Sequence, residues 1–152
     1  MVEVVIRDAT IADSEAIATL VTGLGYPTTT EQMRERLKSI LAHKDYDTLV
    51  AHDGDQIVGF IGVRIGPLYE GDDPYGQIMA LAVATDHQRR GVGGRLRQAA
   101  ESVLIARGAR LSVVTSGNPR ADAHAFYEKN GYAFTGRRYM KPLPSSAERQ
   151  SG

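Results

Sequence analysis

The stretch "DHQRRGVGGRLRQAA", Asp86 to Ala100, sets three glycines among four arginines just ahead of an apolar-periodic segment. It follows "IMALAVA", residues 78–84, an almost fully apolar run that reads as a strand buried on both faces. A strand that passes through a glycine turn into a helix has the local plan of an anion site. The first-turn N–H groups of a helix lack intrahelical partners and carry the positive end of its dipole. Glycine at 91 and 93 lets a ligand reach that backbone without meeting a Cβ. The same residues also suit a plain strand-to-helix turn that uses glycine only for geometry. Two phosphate loops are excluded by residue type. No Lys-Ser or Lys-Thr follows, as a P-loop requires, and Gly91, Gly93 and Gly94 are followed by Arg95, Leu96 and Arg97, so a dinucleotide loop lacks its third glycine.

Working outward, Val92, Leu96, Ala99, Ala100 and Val103 fall on one side of the predicted helix. "ARLSVVT" at 109–115 reads as a strand. Asn118 then caps a short helix with Pro119 at its first position and Asn130-Gly131 at its end. "YAFTGRRYMKPL" at 132–143 reads as a last strand, and 144–152 as a disordered tail. Upstream, "VEVVIRD" at 2–8 is a strand, and two helices follow. The first has Thr10 and Asp13 as cap candidates and the second Thr29 or Thr30; Ile17, Leu20, Val21 and Leu24, then Met33, Leu37, Ile40 and Leu41, form their stripes. "DTLVAHDGDQIVGFIGVRIG" at 47–66 is a hairpin that turns near Asp53-Gly54. The order β-α-α-β-β-β-α-β-α-β contains both a hairpin and a βαβ unit. It therefore predicts a mixed α/β sheet with helices on both faces.

The bulk numbers narrow the function. A chain of 152 residues with 42 % apolar content suits one domain. Eighteen basic and 18 acidic residues give zero formal charge, and aromatics are 7 %, which argues against a nucleic-acid partner. No cysteine is present, which excludes thiolate catalysis and cysteine-held zinc. The N-terminus has no signal-peptide pattern, and no apolar run is long enough to span a bilayer. A cytoplasmic protein without membrane attachment is the expectation.

"QRRGVGG", Gln88 to Gly94, resembles the [QR]-x-x-G-x-[GA] signature of the GNAT superfamily of acyl-CoA-dependent N-acetyltransferases. "NPRADAHAFYEKNGYAFTGRRY", from Asn118, is similar to the family's second signature, an Asn followed by a helix ending in F-Y-x-x-x-G-[FY]. The resemblance covers roughly residues 4–141, with element order in agreement. It implies a mostly antiparallel, twisted sheet of six to seven strands, with parallel fourth and fifth strands that splay apart. One acetyltransferase domain over 1–143 is then expected.

The resemblance also implies a site. Acetyl-CoA is the co-substrate, with no metal. Its pyrophosphate would meet the backbone of Gln88, Arg89, Arg90, Gly91, Val92, Gly93 and Gly94, with Arg89 or Arg90 adding charge. Its pantetheine arm would run along Leu81, Ala82 and Val83, where the Leu81 N–H polarises the thioester carbonyl. Asn118 would touch the arm, or serve only as a cap. Tyr127 would protonate the leaving thiolate after direct attack by an amine. The alternative is a tyrosine packed on a core face. The fourth strand lacks the glutamate that many members use as a base, so water or an acceptor of lowered pKa must serve. His124 reads as a helix-surface residue, and His43, His52 and His87 as solvated.

Family position puts the acceptor near Tyr26 to Met33 and the loop "LYEGDDPYGQ". Glu70, Asp72 and Asp73 would attract a cation, with Tyr69 and Tyr75 as walls; each residue alone also suits a polar surface loop. A small-molecule amine N-acetyltransferase is the first expectation. The alternatives are a protein or peptide N-acetyltransferase and a non-catalytic acyl-CoA-binding sensor. By family analogy a homodimer is also expected.

Overall fold

Residues 3–115 and 121–145 are described by the structure, a computed structural model. The chain separates into two compact units, Met1–Val114 and Thr115–Gly152.

In the first unit, β1 (Val5–Asp8), β2 (Tyr46–Asp53), β3 (Gln56–Gly66), β4 (Tyr75–Val83) and β5 (Ser112–Val114) form a five-stranded sheet in sequence order. The first four strands pair antiparallel, and β4 pairs β5 parallel. β2 and β3 meet in a two-residue turn at Gly54 and Asp55, one position beyond the expected one. The mixed α/β class therefore holds, with five strands among the described residues where six to seven were expected. The missing strand is the C-terminal one, because residues 132–143 carry no regular secondary structure.

Helices α1 (Ser14–Gly23) and α2 (Thr30–Ala42) lie on one face. Ile17, Ala18, Leu20, Met33 and Leu37 pack there with Val50, Phe60 and Ala82. Thr29 caps α2 as expected. Its hydroxyl accepts from the Gln32 N–H at 3.1 Å, and the Gln32 side chain accepts from the Thr29 N–H at 3.0 Å. Asp13 precedes α1, yet its carboxylate is spent elsewhere. It takes a two-pronged bond from Arg7, at 2.9 Å on each oxygen, and accepts from the Thr10 N–H at 2.8 Å.

α3 (Val92–Ala106) covers the other face with Val92, Leu96, Ala100 and Leu104, all buried at four-residue spacing, whereas Ala99 and Val103 of the expected stripe are half-buried at its margin and Leu104 takes their place. Its approach depends on Gly76 in β4. A Cβ there would stand 2.5 Å from Leu104 Cδ1.

In the second unit, α4 (Ala121–Lys129) ends as its sequence predicts. Gly131 has φ +91°, its N–H donates to Glu128 O at 3.2 Å, and the Tyr132 N–H donates to Tyr127 O at 2.9 Å. These two bonds make a Schellman cap. Asn118 and residues 146–152 of the expected tail lie outside the described residues. Among the described residues no helix is long and apolar enough to cross a membrane.

Candidate functional site

Strand β4 supplies one half of the site. The Ala84 N–H donates to Val58 O at 2.8 Å, toward β3. Backbone polar groups alternate sides along a strand, so those of Leu81 and Val83 point to the opposite edge, the β5 side. β5 pairs only with Gly76, Gln77 and Ile78. Beyond Ile78, β4 therefore runs on without a registered β5 partner among the described residues. The Leu81 N–H therefore points to the β5 side, where it has no strand partner among the described residues.

The same geometry corrects the reading of 78–84 as buried on both faces. Ala80 pairs with Gly62 and Ile78 with Val63, so Met79 is an extra residue, a β-bulge. Met79 is 47 % exposed, while Ala80, Leu81 and Val83 are half-buried. Ala82, by contrast, is buried beneath α1 and α2.

The glycine turn supplies the other half. Gly91 caps α3 in the left-handed conformation, φ +84°, and has no side chain to accept from first-turn N–H groups. Arg89 also has positive φ, +63°, the one non-glycine residue to do so among those described. Holding an arginine there costs about 1–2 kcal/mol. Gly94 needs no unusual φ, and among the described residues no atom beyond its own helix turn lies within 4 Å of where its Cβ would stand. The result is an uncapped helix N-terminus with open approach, which fits an anion. Arg89 and Arg90 are exposed on the turn. The Gln88 amide donates to Val83 O at 3.1 Å and so ties the turn to the end of β4. The structure thus brings Leu81 to Val83 together with Gln88 to Gly94.

His87, expected to be solvated, is buried. Its Nδ1 lies 3.0 Å from Asp86 Oδ1 and its Nε2 lies 3.1 Å from Asp53 Oδ2. Hydrogen bonds to Asp86 and then Asp53 raise its pKa above the usual imidazole value, and the bond from His87 lowers that of Asp86. The error has a spatial cause, since Asp53 is 34 residues away in sequence and reaches His87 only through the hairpin.

The acceptor residues are less gathered. Tyr26 is 65 % exposed, and Tyr69, Glu70, Asp72 and Asp73 are exposed on the loop ahead of β4. Tyr75 is half-buried at the first position of β4, with the Arg64 guanidinium 5.9 Å from its ring centre. Sequence reasoning passed over Arg64, although it is the one charge in "IVGFIGVRIG". In the second unit Tyr127 is half-buried, in edge contact with Phe126 and Tyr132 at 5.3 and 5.7 Å between ring centres.

Residues 14–132 match the model of the Acetyltransferase (GNAT) family. No curated protein matches the sequence. Among solved structures, a GNAT family acetyltransferase from Staphylococcus aureus is 26 % identical with a TM-score of 0.79, covering 92 % of this chain and 98 % of its own. A transcriptional regulator from Bacillus halodurans is 24 % identical with a TM-score of 0.84, covering 93 % and 100 %. The aminoglycoside N-acetyltransferase AAC(6')-Iy, in complex with CoA, is 16 % identical with a TM-score of 0.83, covering 94 % and 96 %. The last two, at such identity, speak to fold alone.

Proposed function

The chain belongs to the GNAT acetyltransferase family, and on that premise we propose that it moves the acetyl group of acetyl-CoA to a primary amine on a small cationic molecule. The observation that carries this reading is the pairing of two backbone features on one edge. The uncapped N-terminus of α3 would offer N–H groups to a pyrophosphate, and the stretch of β4 beyond Ile78, which has no β5 partner among the described residues, would offer the Leu81 and Val83 N–H groups to an extended arm. Acetyl-CoA supplies the activated acyl carbon; the chain's own residues bind, orient and move protons. The Leu81 N–H would donate to the carbonyl oxygen as charge develops there, and one such donor is worth roughly 3–4 kcal/mol of barrier. Tyr127 is assigned as the proton donor to the departing thiolate, on its place in the second motif.

For the acceptor, Glu70, Asp72 and Asp73 supply negative charge on one exposed loop, with Tyr69 and Tyr75 flanking them. A cationic amine is the acceptor such a loop would concentrate. Its proton must leave before attack, which costs about 4–5 kcal/mol at neutral pH for an alkyl amine. β4 carries no carboxylate for that step.

Thiol release from acetyl-CoA, followed across primary amines and peptides, tests the assignment. Turnover on small amines with calorimetric binding of coenzyme A supports it. Binding without turnover on any amine or peptide would replace it with an acyl-CoA sensor, and turnover on peptides alone with a protein acetyltransferase.

A further inference from the structure

Arg64 sits on the central strand of the sheet, with no carboxylate within ion-pair distance among the described residues. Along β3, Phe60 packs beneath α1 and α2, and residues two apart share a face, so Gly62, Arg64 and Gly66 lie on that same side. Gln77 and Tyr75 are the cross-strand partners of Arg64 and Gly66, and so join them. Arg64 is half-buried. Its contacts are a long bond from Nη1 to Gln77 Oε1, 3.5 Å, and the Tyr75 ring. Among the described residues it has no carboxylate partner, whereas Arg7, Arg97 and Arg107 each have one.

The surroundings make room for this guanidinium. Gly66 has no positive φ to explain it, yet a Cβ there would stand 3.1 Å from Arg64 Nη2. A half-buried cation with one marginal hydrogen bond leaves most of its five donors unmatched in the protein. The donors lie in a flat fork that suits a carboxylate or phosphate. Between Gln77 and Leu81, β4 covers about 10–13 Å at ordinary strand rise, and the exposed Met79 bulge lies on the way.

We propose that Arg64, with Gln77 and Tyr75, forms an oxyanion subsite, so that the acceptor is a primary amine carrying a carboxylate or phosphate at its far end. This rests on the amine-transferase reading and revises its acceptor: the reacting end is still a cationic amine, but the far end is anionic. The ammonium end answers to the acidic loop, and the other end to Arg64. Gln77 and the Tyr75 ring stand beside the guanidinium at 3.5 and 5.9 Å.

The test is thiol release by the full chain with matched acceptors: ε-aminocaproate against its methyl ester, and aminopropyl phosphate against aminopropanol, followed by further pairs of the same design. The wild type should show a KM at least tenfold lower for the oxyanion member, the phosphate and carboxylate pairs revealing which oxyanion is taken. Arg64→Gln should abolish that preference and leave KM for the ester or alcohol unchanged. Arg64→Lys should restore part of it. Coenzyme A affinity, measured on each variant, should match the wild type and shows that the fold is intact. An acid-to-ester ratio that is near one in the wild type, or unchanged in Arg64→Gln, overturns the subsite while leaving the transferase standing. If no amine in any pair turns over although coenzyme A binds, the subsite falls, and the transferase reading falls with it only when the wider set of amines and peptides is also inert.

Discussion

His87 Nε2 and Asp53 Oδ2, 34 residues apart in the chain, meet at 3.1 Å and fasten the β2–β3 hairpin to the segment just ahead of the glycine turn. Asp86 holds the other ring nitrogen at 3.0 Å. One buried imidazole thus bridges two carboxylates, and the turn that follows starts from a fixed point.

That bridge predicts a pH dependence. The two carboxylates raise the folded-state pKa of His87, so its contribution to stability is fully present below the unfolded value of about 6.5 and is lost as pH rises through the higher folded value. Thermal unfolding of wild type and His87→Gln should therefore differ most in mildly acidic buffer and converge in alkaline buffer. Curves that stay parallel from pH 6 to pH 9 would show that the proton on His87 does not matter.

The Arg7–Asp13 pair predicts the opposite slope. The Asp13 carboxyl is held below the usual carboxylate range, chiefly by the Arg7 hydrogen bonds and also by the Thr10 N–H. Its contribution is present above the unfolded value of about 3.9 and is lost as pH falls through the lower folded value. Asp13 is buried and Arg7 partly exposed, so Asp13→Asn should cost about 1–3 kcal/mol near neutral pH. Denaturant melts of wild type and variant should approach each other below about pH 3.

These two bridges mark where the sequence stopped being readable. Local signals carried far: the Thr29 cap, the hairpin, the α3 stripe and the Gly131 helix end all rest on residues within a few positions of each other. Asp13 was legible as a cap candidate but not as a partner of Arg7, because the strand and the helix meet only in the fold. His87 was misread for the same reason. The run 78–84 reads as buried on both faces because apolar composition carries no sign of the bulge that turns Met79 outward. The glycine turn and the helix start that follows it were legible because glycine spacing and backbone chemistry define them. Arg64 was not, because its meaning depends on the cross-strand register with Gln77 and the room left by Gly66.

Gly76 predicts a packing defect. A Cβ at this position would stand 2.5 and 2.8 Å from the two methyl carbons of Leu104, which is itself buried. Gly76→Ala must push α3 away from β4 or force Leu104 off its rotamer, at about 1–3 kcal/mol. Pairing it with Leu104→Ala should recover part of that loss, because the second change removes the clashing carbons. Equal and additive losses in the two single variants and the double variant would show that the clash is relieved elsewhere.

Gly91 predicts a separation of fold from ligand. At φ +84° an alanine costs about 1–2 kcal/mol, so Gly91→Ala should lower stability modestly. It should also weaken coenzyme A binding, since relaxing the turn re-aims the first N–H groups of α3. Gly94→Ala meets no atom beyond its own helix turn among the described residues and needs no special φ. Its stability should match the wild type, and any loss in coenzyme A affinity then reports the ligand's own need for space. Unchanged affinity in both variants would move the pyrophosphate away from this helix end.

Tyr127 has two explanations, and one substitution separates them. Its carbonyl accepts the Tyr132 N–H in the Schellman cap of α4, and its ring meets those of Phe126 and Tyr132 edge-on. A tyrosine kept only to support that cap would need its ring, whereas a proton donor needs its hydroxyl. Tyr127→Phe keeps the ring and deletes the hydroxyl. If Tyr127 protonates the departing thiolate, kcat should fall by roughly 10²–10⁴, the range for positioned acid–base groups. Coenzyme A affinity and melting temperature should stay close to the wild type. The loss should also shrink with an acyl thioester whose leaving thiol is more acidic, because such a thiolate departs without help. An unchanged kcat removes Tyr127 from the chemistry, and a lowered melting temperature with kcat preserved assigns its hydroxyl to the structure of α4.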